Sequence, residues 1–221
     1  MPFTLVTTCC KRWHFLQRSL PTWVRMPGLS RIVVVTYGFD GTPRDWLPAD
    51  VELVTLQGPE FIRTQARNAG AFGSADSRLL FVDCDVCVVD AARFMAWSAS
   101  ADYVLDSPHA LSRQGTRDPE RTAPGLRGTH FVTRELFERV QGYNPHMRGW
   151  GVEDIDLYRR YAKQSDAVAY YDRSSLRHQP HGDALRRELQ LCSLRQSVQS
   201  NKAKARTCKP WLLADPASRG C

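Results

Sequence analysis

Residues 79–90 read LLFVDCDVCVVD, the most apolar run in the chain, and two aspartates, Asp83 and Asp85, stand inside it. An ionised carboxylate in an apolar setting is costly unless something pairs with it, and two placed close together repel. Such a run folds only if the acids emerge at a strand end open to water or meet a cation there.

The neighbouring segments extend this reading. FTLVTT, RIVVVTY and VELVTL read as short buried strands, with a helix over WHFLQRSL between the first two and a turn-rich stretch before the third. A helix over FIRTQARNAGAFGS then leads into RLLFVD. Strand, helix, strand implies an α/β fold with a mostly parallel sheet flanked by helices, whose ligands gather at the carboxyl ends of the strands. Asp83 and Asp85 fall at such an end, their alternate side chains converging on one point.

Beyond them the pattern predicts a helix at FMAWSA, a strand at DYVLD, and an irregular stretch from Ser107 to Arg127, long enough to act as a substrate loop or lid. THFVT and DAVAYYD read as strands and RELFERV as a helix. The end, GDALRRELQLCSLRQSVQSNKAKA, has Leu185, Leu189 and Cys192 at helical spacing and reads as an amphipathic helix packed on the body.

With 221 residues and 43% hydrophobic composition, one large domain is expected. Within it, three stretches are expected: residues 1–90, residues 91–181, and a C-terminal helix and tail over 182–221. No apolar run is long enough for a membrane span, and the N-terminus lacks the signal-peptide pattern, so a cytoplasmic protein is expected. Seven scattered cysteines fit free thiols in a reducing compartment; Cys84 and Cys87, three positions apart on a strand, would point to opposite faces. The net charge of +7 is concentrated at Arg113, Arg117, Arg121 and Arg127 and in the C-terminal segment, which reads as solvated surface or as a site for an anionic partner, nucleic acid included.

Three constellations can carry chemistry. Asp83 and Asp85 offer hard oxygen ligands suited to Mg2+ or Mn2+. GWGVEDIDL, residues 149–157, combines a glycine-permitted sharp turn and a displayed Trp150 with Glu153, Asp154 and Asp156 at a helix start, where acids also simply complement the dipole. RHQPHGD supplies His178 and His181 in a loop just past a strand.

In their order, FIRTQARNAGA, FVDCDV, GTHFVTRELFERVQGYNP, GWGVEDIDL and RHQP resemble the metal-dependent glycosyltransferases of the GT-A fold, of the β-1,4-galactosyltransferase and bacterial chondroitin-polymerase types. The resemblance implies an inverting enzyme that takes a sugar from a nucleotide-sugar, a UDP-sugar above all, to an acceptor hydroxyl on a glycan, small molecule or other substrate. It implies Mn2+, with Mg2+ as the alternative, on Asp85 and His178, Asp83 supporting and His181 a second candidate. It places Phe61 and Arg63 at the uracil, Thr8 and Lys11 beside the nucleotide, Asp154 as general base, Glu153 orienting the acceptor, and Trp150 with Gly151 facing the sugars. Val152 departs from the pattern, since many relatives carry Gly there, and His130 stands where many carry a small or apolar residue. A nucleic-acid acceptor and a non-catalytic nucleotide-sugar-binding protein are the competing readings.

Overall fold

All six residues of the first strand, β1 (Phe3–Thr8), are buried, so the strand lies inside the sheet rather than at its edge. The computed structural model describes residues 1–38, 45–72, 75–97, 99–111, 126–182 and 192–207. Helix α1 (Trp13–Trp23) connects β1 to β2 (Leu29–Tyr37), and β3 (Val51–Leu56) follows. Helix α2 (Arg63–Phe72) then precedes β4 (Arg78–Phe81), as the hydrophobic pattern predicts. The remaining elements are β5 (Val86–Val88), α3 (Ala91–Phe94), β6 (Tyr103–Leu105), β7 (His130–Thr133), α4 (Arg134–Arg139), α5 (Glu153–Ala162), β8 (Val168–Tyr170), β9 (Leu176–His178) and α6 (Leu194–Thr207).

The main sheet has the order β3-β2-β1-β4-β7-β6-β8. Pairings are parallel except those that β7 makes with β4 and β6. Side chains alternate across it. Leu5, Val34, Leu80 and Phe131 join Leu16, Leu20 and Trp23 of α1 in one apolar cluster. Val6, Leu79, Phe81 and Val132 join Leu136, Phe137, Tyr158 and Tyr161 of α4 and α5 in another. Burying each such side chain contributes about 1.5–3 kcal/mol. Helix α2 seats closely on the sheet because residue 70 is glycine: a Cβ there would lie 2.5 Å from Val6 Cγ1 and 2.9 Å from Val35 Cγ2.

Three expectations need correction. Asp83 and Asp85 do lie just past the carboxyl end of β4, which closes at Phe81, but they occupy a turn, closed by Val86 N–H donating to the Asp83 carbonyl at 3.0 Å, rather than alternate positions of a strand. The turn lets the two carboxylates diverge to separate guanidinium groups instead of facing one point. The helix expected over FMAWSA is only α3, which begins earlier because Asp90 caps it, accepting from Arg93 N–H at 2.9 Å. The described C-terminal helix begins at Leu194; Cys192 precedes it and is exposed, while Leu185 and Leu189 lie outside the described residues. Arg113, Arg117 and Arg121 also lie outside them. Among the described residues, no helix is long and apolar enough to cross a membrane.

Candidate active site

β5 and β9 form a separate antiparallel ribbon in which Val86 pairs with His178. Gln179 N–H extends it by donating to the Asp85 carbonyl at 2.7 Å. This brings the end of β9 onto the turn that carries the acids. Asp85, only 3% exposed, has His181 Nε2 2.9 Å from its Oδ2 and His178 Nε2 3.7 Å from its Oδ1. One ligand atom from each of the three lies within 4.8 Å of the others. His178 is the last residue of β9 rather than a loop residue, and His181, the second choice by sequence, is the nearer imidazole. Arg12, at the start of α1, donates to Asp85 Oδ2 at 2.9 Å. Burial pushes the Asp85 carboxyl up, but His178, Arg12 and His181 together outweigh it and hold the acid below its ordinary range.

Asp83 turns the other way. Arg67 of α2, 2% exposed, donates through Nη2 to Asp83 at 2.7 Å, and through Nη1 to both Asp154 and the Tyr143 hydroxyl at 2.6 Å. Gly128 makes room: a Cβ there would lie 2.6 Å from Asp83 Oδ2 and 2.7 Å from Arg67 Nη2. Beneath this fork lies His130, fully buried, stacked on Phe81 at 4.9 Å and 3.1 Å from the Tyr158 hydroxyl. Burial, with the Arg67 charge adding to it, lowers the His130 pKa to about 3, so the ring is neutral.

Glu153 and Asp154 open α5 in adjacent positions with different partners. Glu153, 4% exposed, pairs with Arg63 at 2.8 Å, and its buried Oε2 has no hydrogen-bond partner among the described residues. Burial raises the Glu153 pKa, against the lowering pull of Arg63. The Arg63 guanidinium also lies 3.6 Å from the centroid of the Trp150 ring, a cation–π contact covering one face. The turn before α5 is left-handed at Gly149, Gly151 and Val152, with φ of 64°, 93° and 79°.

Of the remaining sequence candidates, Thr8 is buried at the end of β1, Lys11 follows with φ of 54°, and Phe61 packs edge-on against Tyr37. Arg63 sits among Glu153 and Trp150. The structure therefore gathers Asp85 and the two histidines at Arg12, and Asp83 and Asp154 at Arg67, two arginines that sequence reasoning passed over, while Glu153 keeps to Arg63. Arg67 lies within the quoted FIRTQARN segment, but its charge alone did not set it apart from a surface residue.

Residues 108–181 match a family model described as the N-terminal domain of galactosyltransferase. No curated protein matches the chain in sequence. Among solved structures, Drosophila β-1,4-galactosyltransferase 7, an Asp-to-Asn mutant in complex with manganese, UDP-Gal and xylobiose, superposes with a TM-score of 0.65. The match covers 96% of this chain and 83% of that one at 16% identity. The fold is the GT-A fold. The mannosyltransferase PcManGT from Pyrobaculum calidifontis, in complex with GDP-Man and Mn2+, shares it with a TM-score of 0.57 at 16% identity, covering 77% of this chain and 55% of that one. S. aureus TarS in complex with UDP-GlcNAc scores 0.58 at 13% identity, covering 82% and 60%. The chain thus spans most of the galactosyltransferase structure and somewhat over half of the other two. In this GT-A chain the candidate site lies at the carboxyl end of β4, next to the start of α5.

Proposed function

We propose that this chain is a metal-dependent inverting glycosyltransferase that moves a sugar from a UDP-sugar to an acceptor hydroxyl. The observation that carries the reading is the convergence of His178 and His181 on Asp85, two residues beyond Asp83, which shares Arg67 with Asp154. The GT-A neighbours, solved with nucleotide-sugars and two of them with manganese, support the same class.

One carboxylate oxygen and two imidazole nitrogens suit Mn2+ better than Mg2+, which prefers an all-oxygen shell with several waters. Bound by these three residues, the ion supplies Lewis-acid neutralisation of the departing nucleoside diphosphate. Asp154, anchored through Oδ1 by Arg67, takes the proton from the acceptor hydroxyl as that oxygen attacks the anomeric carbon from the face opposite the leaving group. Glu153, paired with Arg63 beside Trp150, orients the acceptor. Trp150 and Gly151 face the sugars, Thr8, Lys11, Phe61 and Arg63 line the nucleotide side, and Asp83 supports it through ribose or water. Residues 1–90 and 91–181 divide the work between nucleotide and acceptor. The buried free thiols of Cys9, Cys84 and Cys87 fit a reducing, cytoplasmic setting.

The test is incubation with Mn2+ and a panel of UDP-sugars, following thermal stabilisation and UDP release. A ligand at about a hundred times its dissociation constant stabilises by about 2.7 kcal/mol. UDP release that stops in EDTA and returns with Mn2+ is expected. Full turnover in EDTA would overturn the metal assignment, and no stabilisation or release with any donor would overturn the enzyme reading.

A further inference from the structure

Helix α6 is exposed at most of its described positions, yet Ser197 and Asn201, one turn apart, are each 1% exposed. Both are polar, and both are spent on the G-W-G turn. Ser197 Oγ accepts from Trp150 N–H at 2.7 Å and lies 3.0 Å from the Arg148 carbonyl and 2.8 Å from the Trp150 carbonyl. Asn201 Nδ2 donates to the Arg148 and Gly151 carbonyls at 2.9 Å, and its Oδ1 accepts from Arg148 N–H at 3.0 Å. The approach is as close as the turn allows: a Cβ at residue 149 would lie 2.6 Å from Ser197 Oγ, and one at residue 151 would lie 2.8 Å from Val198 Cγ2.

The turn needs such support. Its left-handed φ values include one at a β-branched residue, Val152, a conformation that persists only when its surroundings over-determine it. Backbone carbonyls in a tight turn otherwise bond to water and leave the loop free to change shape.

We propose that α6 is a positioning element: Ser197 and Asn201 hold the backbone of residues 148–151 in the shape that presents Trp150 and sets the start of α5. Its importance for catalysis rests on the functional reading above; the clamp itself does not. The helix is thereby a working part of the site through the backbone it holds.

Asn201→Ala and Ser197→Ala, with Lys202→Ala as an exposed control on the same helix, test this. Hydrogen exchange is read at the amides of Arg148 and Trp150, with Tm and circular dichroism as folding checks. Exchange at these amides should speed up about 10-fold or more in the two clamp variants and stay unchanged in the control, while Mn2+-dependent UDP affinity stays within about twofold of wild type. With methyl glycosides as acceptors, KM for the acceptor should rise about 10-fold with the donor KM unmoved. Unchanged exchange at both amides in folded Asn201→Ala overturns the clamp. Faster exchange with an unmoved acceptor KM overturns its role in positioning. A wild-type chain with no turnover on any donor defeats the functional reading, and the exchange data still decide the clamp.

Discussion

Asp83 and Asp154 are bonded to the same side chain: Arg67 reaches Asp83 at 2.7 Å through one nitrogen and Asp154 at 2.6 Å through the other. A residue in the turn after β4 and the proposed base are thus held in register by one buried planar cation.

Arg67→Lys keeps the charge and loses the fork, since an ammonium is a point donor on a flexible stem. The variant should fold and lose about 10-fold or more in kcat. Arg67→Met leaves two carboxylates and a buried tyrosine without their cation and should cost about 3–5 kcal/mol in urea unfolding. Wild-type kcat in Arg67→Lys would show that the shared guanidinium is not what aligns the two acids.

Asp85→Asn, His178→Ala and His181→Ala should each weaken Mn2+ binding in calorimetry, and Mn2+-dependent UDP binding with it. Because His181 is the nearer imidazole, its removal should weaken binding at least as much as removal of His178. Asp154→Asn should instead leave both affinities near wild type and lower turnover by about 100-fold or more. Near-normal turnover in Asp154→Asn would move the base to another acid.

Val152 holds φ of 79° with a branched side chain. Glycine at this position removes that strain, at the expense of a more flexible unfolded chain and some lost packing. Val152→Gly should therefore raise unfolding stability by ~1 kcal/mol, read from the urea midpoint at constant m. A lower midpoint would mean that the contacts of the valine outweigh its backbone strain.

His130 sets a pH dependence. Its folded pKa of about 3 lies below the ordinary 6.5, so between those values the unfolded chain binds the extra proton. Stability from the neutral ring is complete above pH 6.5 and is lost as pH falls toward 3, by up to about 1.4 kcal/mol per unit. His130→Phe should show a shallower fall over that window in thermal melts; parallel curves would show that the ring is not the group responsible.

The strands from β1 to β4 and helix α2 were legible because apolar periodicity is a local signal that burial then enforces. The motif residues at 83–85 and 149–156 were legible as chemistry for the same reason: they are contiguous. Arg12 and Arg67 were not, since an arginine's role depends on which carboxylate the fold brings to it. The polar contacts that Ser197 and Asn201 of α6 make were equally hidden. Periodicity directs attention to leucines, whereas this helix docks through a serine and an asparagine that any exposed helix could carry. His181 was ranked second because motif context favoured His178, while the distance to Asp85 depends on how the chain turns after β9.

The β5–β9 ribbon carries an implication for assembly. One side of the proposed metal-ligand set comes from the first half of the chain and the other from strand β9 and the residues just after it, and that pairing brings them together. A chain in which β9 has not yet paired with β5 carries both aspartates without the imidazoles beside them, and has no three-ligand site to offer an ion. On the proposed function, tight ion capture would therefore report that chain closure is complete: the ion would select finished molecules and, by mass action, add its stabilisation to them alone.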